Sequence, residues 1–373
     1  MEEYKLKEGS SVTLDLIRGV SAQIVVVGHG ISFFGIFTFL HEPNVPWMQN
    51  IAVLIFFLLS GFLISYSTVR KILINNNYGF SHYFVDRFSR IYTAFIPSII
   101  IVLIIDIVSK IVNHKLYLFD NAFNIKTFIG NLFMLQDYRV FSYAPFGVVT
   151  SFGSARPFWS LAIEWWIYLS FGYLLLVILK NKKVTISNIL IFSIFSILPA
   201  SNLIMGRGNG LTTYWLFGSI VYVISTLDIL KDINEKIKLF FVLFISGLAL
   251  YRAYLKMEAY DPIFAFLLAM TLWLIIDLCK NKKYSRNITR IINYNASFSY
   301  TLYLVHYSIL SFIRTHFYDT LNPYLLFMIG FICANIISIL IGRYTELSLT
   351  KKVKLFLYKR IEDKRQLTSN KRH

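Results

Sequence analysis

Long runs of apolar residues recur along the whole chain and are separated by shorter polar segments. An α-helix needs about 20 consecutive apolar residues to cross the hydrocarbon core of a bilayer. The pattern therefore predicts an all-α polytopic membrane protein with about ten transmembrane helices. The predicted spans are Leu14–Phe37, Trp47–Ser67, Phe88–Val112, Pro157–Leu179, Val184–Leu203, Leu211–Leu227, Ile237–Tyr254, Asp261–Cys279, Ser297–His316 and Tyr324–Thr345.

Ten spans place both ends of the chain on the same side of the membrane. Most of the 37 lysines and arginines lie in one alternate set of segments. Because basic residues collect on the cytoplasmic side, both termini are predicted to be cytoplasmic. That basic set comprises residues 1–13, 68–87, 180–183, 228–236, 280–296 and 346–373.

The expected domain organisation follows from these spans. Residues 1–13 form a cytoplasmic N-terminus, residues 14–345 a transmembrane domain, and residues 346–373 a basic cytoplasmic tail that anchors at the membrane surface. The longest outward connection is 113–156, and a loop of that length is usually functional or partly structured. A short interfacial helix is predicted within it, around Phe123–Leu135.

Composition narrows the class of protein further. Only 15% of residues are charged and 56% are hydrophobic, whereas soluble domains carry about 25% charged residues. The net charge of +17 is explained by topology, so nucleic-acid binding is not expected. Two cysteines, Cys279 and Cys333, both lie in apolar runs, so neither a disulfide framework nor a thiolate metal site is expected. The N-terminus lacks the basic segment of a cleaved signal, so the first helix should remain in the mature protein.

The first predicted helix carries Asp15, Arg18, Gln23 and His29. A charge in hydrocarbon costs roughly 2.5 kcal/mol or more at mid-bilayer, so these groups should face protein or water. Asp15 and Arg18 are three positions apart and should pair. Arg18 and His29 are eleven apart, which puts both on one face of the helix, separated by about 16 Å. Intramembrane ionisable groups are functional by default, although a histidine that only joins two helices is the simpler alternative.

Two further segments lie at the predicted second and third helices. Ser60-Gly61 is typical of close packing between membrane helices. Arg87 and Arg90 share a face at the predicted cytoplasmic entry of the third helix. Simple topological anchoring would explain them, yet the planar guanidinium suits a phosphate, so the pair is a candidate site for a phosphorylated cytosolic ligand.

The fourth predicted helix opens at Pro157, a favoured residue in a first helical turn. Ser160, Glu164 and Tyr168 recur every four residues along one face. A carboxylate this far inside the membrane is costly unless it is paired or protonated, so Glu164 is a candidate functional residue. Arg156 is one candidate partner.

A similar face appears on the ninth predicted helix. Tyr300, Tyr303, His306 and Tyr307 lie three to four positions apart and line one stripe. An aromatic packing stripe would explain three of them. The second membrane histidine makes a functional stripe equally plausible.

Taken together, these segments resemble the acyltransferase-3 family of integral membrane proteins. The match extends in order from residue 14 to about residue 310. Thr93 stands where the family commonly has a proline, and Pro97 follows a turn later. The matching blocks are Asp15-Leu-Ile-Arg18-Gly19 with His29, Phe56 to Ile64 around Ser60, Arg87 to Tyr92, Trp159 to Glu164, and Ser299 to His306.

The resemblance implies an acyl-CoA donor, usually acetyl-CoA, as a cytosolic co-substrate, with no resident cofactor and no metal. The family modifies bacterial cell-surface glycans, such as O-antigen and exopolysaccharide, so the acceptor would be a glycan or a lipid-linked precursor at the inner membrane. His29 would be the central catalytic residue, and Arg87 and Arg90 would hold the donor phosphates. Many relatives carry an additional soluble hydrolase-like domain, and this chain resembles the stand-alone members.

For O-acyl transfer, the hypothesis is that His29 removes the acceptor proton and that a carboxylate, with Glu164 the leading candidate, orients it. Arg18 would hold the CoA arm or the developing oxyanion. Asp15, Ser60, Trp159, Ser160, Tyr300, Tyr303 and His306 would support the site.

Several alternatives stay open at this point. A two-step route would place the acyl group transiently on His29 or Ser60. A succinyl or longer acyl group would remain within the same class of enzyme. A glycan transporter or flippase without covalent chemistry is the main alternative function, and a structural subunit of a glycan-synthesis complex is a third.

Overall fold

Helices account for all the regular secondary structure in the part of the chain that the structure describes. The structure is a computed structural model, and it describes residues 5–204, 208 and 210–370, with side chains up to residue 363. The helices are α1 Glu8–Phe34, α2 Met48–Ile74, α3 Phe80–Asn113, α4 Ile125–Leu132, α5 Phe158–Tyr173, α6 Ile186–Ile204, α7 Leu211–Ser225, α8 Glu235–Lys256, α9 Pro262–Cys279, α10 Arg286–Ala296, α11 Ser299–Phe317, α12 Pro323–Arg343 and α13 Thr350–Asn370.

All ten predicted helices are present, and the fold is an all-α polytopic membrane bundle. Eight helical segments of the described chain are long and apolar enough to cross a membrane. The other two predicted spans are α7, which has only 15 residues, and α11, which carries the polar stripe. Both lie within the bundle, where α7 packs along α2 and α11 along α12 and α1. Neighbouring helices therefore cover the polar groups of α11, as the cost of exposing them to lipid requires.

The boundaries differ from the sequence prediction where charged residues are covered by protein. The third helix begins at Phe80 rather than Phe88, so Asp86 and Arg87 lie inside it. The tenth helix continues through a π-helical turn, Tyr344–Leu349, into α13. The tail packs against α3. A prediction from hydropathy ends a helix at its first charged residues, whereas here ion pairs stabilise Asp86 and Glu346 inside helical segments.

Helices α2 and α7 approach each other closely, as Ser60-Gly61 predicts. A Cβ atom on Gly61 would overlap the carbonyl oxygen of Trp215, and one on Gly218 would overlap that of Leu58. Both contacts are to backbone, which cannot move aside cheaply. Glycine at these two positions therefore sets the distance between the helices and places Trp215 beside Ser60.

The long connection 113–156 is compact, and the predicted short helix is present as α4. The Asn131 amide donates to the carbonyls of Thr127 and Thr150 at 2.7 and 2.9 Å, and its oxygen accepts the N–H of Phe152 at 3.1 Å. Asp106 on α3 accepts the N–H of Ser154 at 2.9 Å. The loop is thus held against the end of α3 opposite to Asp86.

The N-terminal segment and the first turns of α13 lie at the same end of the bundle. The Leu6 N–H donates to the Tyr66 hydroxyl at 3.0 Å. Lys71 and Lys354 both contact Asp86. The N-terminus, the α2–α3 connection and α13 therefore meet there, and we call this the basic end. Its cytoplasmic location stays a prediction.

Candidate functional site

A cavity of about 470 Å³ opens near the basic end and extends into the bundle. This volume is within the range of small-molecule sites, about 300–1,000 Å³. Its wall combines residues of α1, α2, α3, α5, α11 and α13. The polar residues that line it are Arg18, Ser60, Tyr66, Ser67, Lys71, Asp86, Arg87, Ser89, Arg90, Ser160, Glu164, Tyr168, Ser299, Tyr300, Tyr303, Thr350 and Lys354.

The cavity brings together most of the predicted site residues, which come from five separate helices. Arg18 lines the cavity and pairs with Asp15 at 2.6 Å, as the spacing of three predicts. Tyr300 places its ring beneath the Arg90 guanidinium, 5.6 Å from its centre. Trp159 is buried outside the cavity lining and packs edge-on against Tyr260, with ring centres 6.2 Å apart.

Arg90 is held by a carboxylate that the sequence prediction missed. The Glu346 side chain is 1% exposed and binds the Arg90 guanidinium at 3.1 Å. Its second oxygen accepts the N–H and the hydroxyl of Thr301, at 2.8 and 2.9 Å. Because Thr301 lies in the first turn of α11, Glu346 also satisfies an end-of-helix donor. Arg90 is therefore a fixed part of the wall.

Asp86 organises the mouth of the cavity. Its side chain is 2% exposed and binds Lys71 at 2.5 Å and Lys354 at 2.7 Å. The hydroxyls of Tyr78 and Tyr358 also donate to it, each at 2.8 Å. Burial and the Asp86 carboxylate raise the pKa of Tyr78 well above its ordinary value, so this hydroxyl stays protonated as a donor. One carboxylate thus joins α2 and α13 to α3, and two lysines share a single negative charge.

Arg87 differs from Arg90 in its surroundings. Its guanidinium lies 5.7 and 6.0 Å from the ring centres of Tyr83 and Tyr168. Its Nε is buried and has no hydrogen-bond partner. Among the described residues, no carboxylate lies within ion-pair distance of Arg87, whereas Arg18, Arg90, Lys71 and Lys354 each have one. A positive charge with open donor positions therefore faces the cavity.

Deeper in the cavity, Glu164 is at the centre of a hydrogen-bond network. The Ser60 hydroxyl donates to Glu164 Oε1 at 2.7 Å, and the Tyr168 hydroxyl donates to the same oxygen. The Trp215 Nε1–H in turn donates to Ser60 Oγ at 3.0 Å. Arg156, a candidate partner of Glu164, is exposed and lies outside the cavity lining.

The inner wall of the cavity leads to the two histidines. Tyr303 lines the cavity, and its hydroxyl contacts Ser160 Oγ at 2.6 Å. Its ring centre is 6.1 Å from that of His306, which stacks on His29 with centres 5.3 Å apart. Tyr307 meets His29 edge-on at 5.0 Å. The predicted residues of α1 and α11 therefore form one aromatic and imidazole cluster beside the cavity.

The His306 ring has a defined orientation. Its Nδ1 lies 2.9 Å from the carbonyl of Leu302, which can only accept, so Nδ1 carries the proton. Nε2 is then the basic nitrogen of the neutral ring, and it is buried with no hydrogen-bond partner. His306 Nε2 is therefore a basic nitrogen to which no described residue donates a hydrogen bond.

Lys71, Lys354 and Glu346 were not predicted as site residues, and the sequence offers a weak signal for each. Glu346 is a lone carboxylate just after an apolar helix, while the two lysines belong to segments that topology alone explains. Glu346 and Lys354 bind partners that are distant in sequence, Arg90 and Asp86, and Glu346 lies 256 positions from Arg90. Lys71 lies 15 positions from Asp86, in the preceding helix. Only the fold brings them together.

The fold and the cavity define a polytopic membrane protein with an internal polar site at the centre of its helices. Residues 12–343 match the family model described as an acyltransferase domain. The chain belongs to this acyltransferase-3 family, and it is a membrane acyltransferase. No curated protein and no solved structure matches it in the corresponding comparisons.

Proposed function

We propose that the protein is an O-acyltransferase that moves an acyl group, most simply acetyl, from cytosolic acyl-CoA to a hydroxyl of a cell-surface glycan or its lipid-linked precursor. One observation carries the proposal. A single cavity extends from Arg87, an arginine without a carboxylate partner among the described residues at the basic end, to Tyr303 within the bundle. The histidine pair lies outside the cavity lining, and the Tyr303 ring packs against His306. Acyl-CoA is a long molecule that matches this arrangement, because its phosphates lie at one end and its thioester at the other.

The charges at the mouth support an anionic donor. Arg18 and Arg90 are neutralised by Asp15 and Glu346. Arg87 is not, and Lys71 and Lys354 share one carboxylate. The cationic excess is thus concentrated where the donor would enter from the cytosol, and guanidinium and ammonium groups are the usual partners of phosphate.

The transfer step requires a base for the acceptor hydroxyl. In the proposed step, neutral His29 accepts the hydroxyl proton while the hydroxyl oxygen attacks the thioester carbonyl. The carbon–oxygen bond forms and the carbon–sulfur bond breaks. The departing CoA thiolate takes the proton from the imidazolium, so charge and protons balance. The stacked His306 ring holds the His29 ring in position, and Arg18 stabilises the donor arm or the oxyanion.

Glu164 is the carboxylate that the sequence predicted to orient His29, but its hydrogen-bond partners are Ser60 and Tyr168, so it is proposed to order the acceptor side instead. The carboxylate fixes these two hydroxyls, which face the cavity. These groups are suited to hydrogen-bonding a sugar. The side of the membrane on which the acceptor enters is proposed to be that of loop 113–156, in the cytoplasmic membrane of a bacterium.

Label transfer tests the function directly. Membranes that contain the protein are incubated with acetyl-CoA labelled in the acetyl group, and label is measured in the glycan and lipid-linked glycan fractions. The proposal expects label in one of these fractions, above membranes without the protein. Translocation of glycan across the membrane without label would instead establish a flippase.

Replacing Arg87 should weaken donor binding selectively. A hydrogen bond to a charged group contributes about 1.5–3 kcal/mol, so Arg87→Ala is expected to raise the KM for acyl-CoA by roughly ten- to a hundredfold. The kcat should change much less, because the phosphates lie far from the reacting carbon. Initial rates of label transfer over a range of acyl-CoA concentrations give both constants.

Arg290→Ala is the matched control for Arg87→Ala. Arg290 is exposed on α10 and lies outside the cavity lining, so its loss removes the same charge without touching the proposed site. An unchanged KM in Arg87→Ala, or an equal rise in Arg290→Ala, would contradict the assignment of Arg87 to the donor.

A further inference from the structure

A second, larger cavity of about 790 Å³ opens at the basic end. Its wall is formed by the N-terminal segment and by the ends of α2, α7 and α9, with the 226–230 segment after α7. Tyr66 lines both cavities. The residues proposed to bind acyl-CoA and the glycan line the first cavity, so the second cavity has no part in the proposed transfer.

Three cations that line the second cavity, Lys5, Lys7 and Arg70, are in no ion pair among the described residues, although Lys7 Nζ donates to Asn281 at 2.9 Å. Asp277 is bound to Lys238 at 2.5 Å and to Lys280 at 2.6 Å. In contrast, no ion pair among the described residues includes Lys5 or Arg70, and Arg70 Nε is buried without a hydrogen-bond partner. Arg70 lies within α2, so the helix fixes its position. The cavity therefore presents Lys5 and Arg70 to an anion at the level of the predicted membrane surface. The lining residue Asp228 has a side chain that is 71% exposed and lies 4.0 Å from Lys280.

The remaining wall is apolar and continues to the outside of the bundle. Leu73, Val223 and Ile229 line the cavity, yet 53%, 54% and 58% of their surfaces are exposed. A soluble phosphate would not need such a wall. A ligand with a phosphate at one end and hydrocarbon at the other would contact the cations inside and the apolar rim outside.

We propose that this second cavity binds the headgroup of an acidic phospholipid, with Arg70 and Lys5 contacting its phosphate. The acyl chains of the lipid lie against Leu73, Val223 and Ile229. Basic pockets between helix ends at the cytoplasmic surface are suited to such lipids. Lys5 belongs to the N-terminal segment and Arg70 to α2, so a lipid that contacts both also holds this segment against α2. The Leu6 N–H, which donates to the Tyr66 hydroxyl, makes the same connection.

Trp273 lines this cavity and provides a local probe. The full-length protein is placed in phosphatidylcholine vesicles with increasing amounts of brominated phosphatidylglycerol, whose bromines quench nearby tryptophans. Subtracting the Trp273→Phe signal isolates Trp273 from the other five of the six tryptophans. The proposal expects half-maximal quenching at a much lower fraction of phosphatidylglycerol than of brominated phosphatidylcholine.

Charge removal then tests the two cations. One basic group at the surface changes lipid affinity by about fivefold, so Arg70→Gln should shift the midpoint about fivefold and Lys5→Gln with Arg70→Gln more than tenfold. The matched control is Lys182→Gln with Lys183→Gln, which removes two exposed charges from another loop of the basic set. Quenching by brominated phosphatidylcholine should be the same in every variant, which verifies insertion and folding.

Two results would overturn the proposal. Equal midpoints in wild type and in the Lys5 and Arg70 variant would show that these cations do not bind the lipid. Release of quenching by adenosine 3′,5′-bisphosphate or inorganic phosphate would show that the cavity takes a soluble phosphate instead. Neither measurement depends on acyl transfer, so this proposal can fail while the proposed function stands.

Discussion

Replacing His29 by alanine is expected to lower the kcat of acyl transfer by about 10²–10⁴-fold, the usual contribution of a positioned general base. The KM for acyl-CoA should change little, because Arg87, Lys71 and Lys354, the cations proposed to bind the donor phosphates, are on α3, α2 and α13, respectively. Loss of the imidazole removes the acceptor of the hydroxyl proton, and water has no fixed position from which to replace it. Rates of label transfer at saturating acyl-CoA measure the effect.

His114→Ala is the control for this variant, because His114 is exposed in loop 113–156. Full activity in His29→Ala would remove His29 from the chemistry. If His306→Ala instead abolished transfer, the base would be His306, whose Nε2 has no hydrogen-bond partner. Comparison of the two single variants therefore identifies which ring of the stacked pair accepts the proton.

Hydrophobic patterning predicted the helices of this protein well, because a membrane helix depends mainly on its own composition. The prediction failed at helix ends where tertiary contacts stabilise charges. The Asp86 carboxylate, with two lysines and two tyrosine hydroxyls around it, lets α3 begin eight residues before the predicted Phe88. No local pattern around Asp86 shows that Lys354 and Tyr358 will approach it.

In the candidate site too, contacts between residues close in sequence could be predicted, whereas contacts between distant residues could not. Pairing of Asp15 with Arg18 and alignment of Ser160, Glu164 and Tyr168 on one face follow from helical spacing. The difference between Arg87 and Arg90 does not. In the sequence they are equivalent arginines one turn apart, but only Arg90 meets Glu346. A structure is needed to separate the arginine that supports the wall from the one with open donors.

Removing the Glu346 carboxylate should strongly destabilise the bundle. The Glu346 side chain is 1% exposed, and its loss leaves the Arg90 charge and the Thr301 N–H without their partner inside the protein. Breaking a buried ion pair from one side typically costs about 3–5 kcal/mol. Because the Arg90 side chain is 34% exposed and water can partly solvate it, Glu346→Ala is expected to lower the free energy of unfolding by the lower end of that range, about 3 kcal/mol. Denaturant or thermal unfolding in detergent measures the change.

The double variant Arg90→Ala with Glu346→Ala distinguishes this cause from a general packing defect. Removing both charges eliminates the uncompensated guanidinium, so the double variant should be more stable than Glu346→Ala alone. Glu362→Ala, an exposed glutamate on α13, should leave stability unchanged. A double variant less stable than Glu346→Ala would mean that Arg90 stabilises the wall through its contact with Tyr300 rather than through the ion pair.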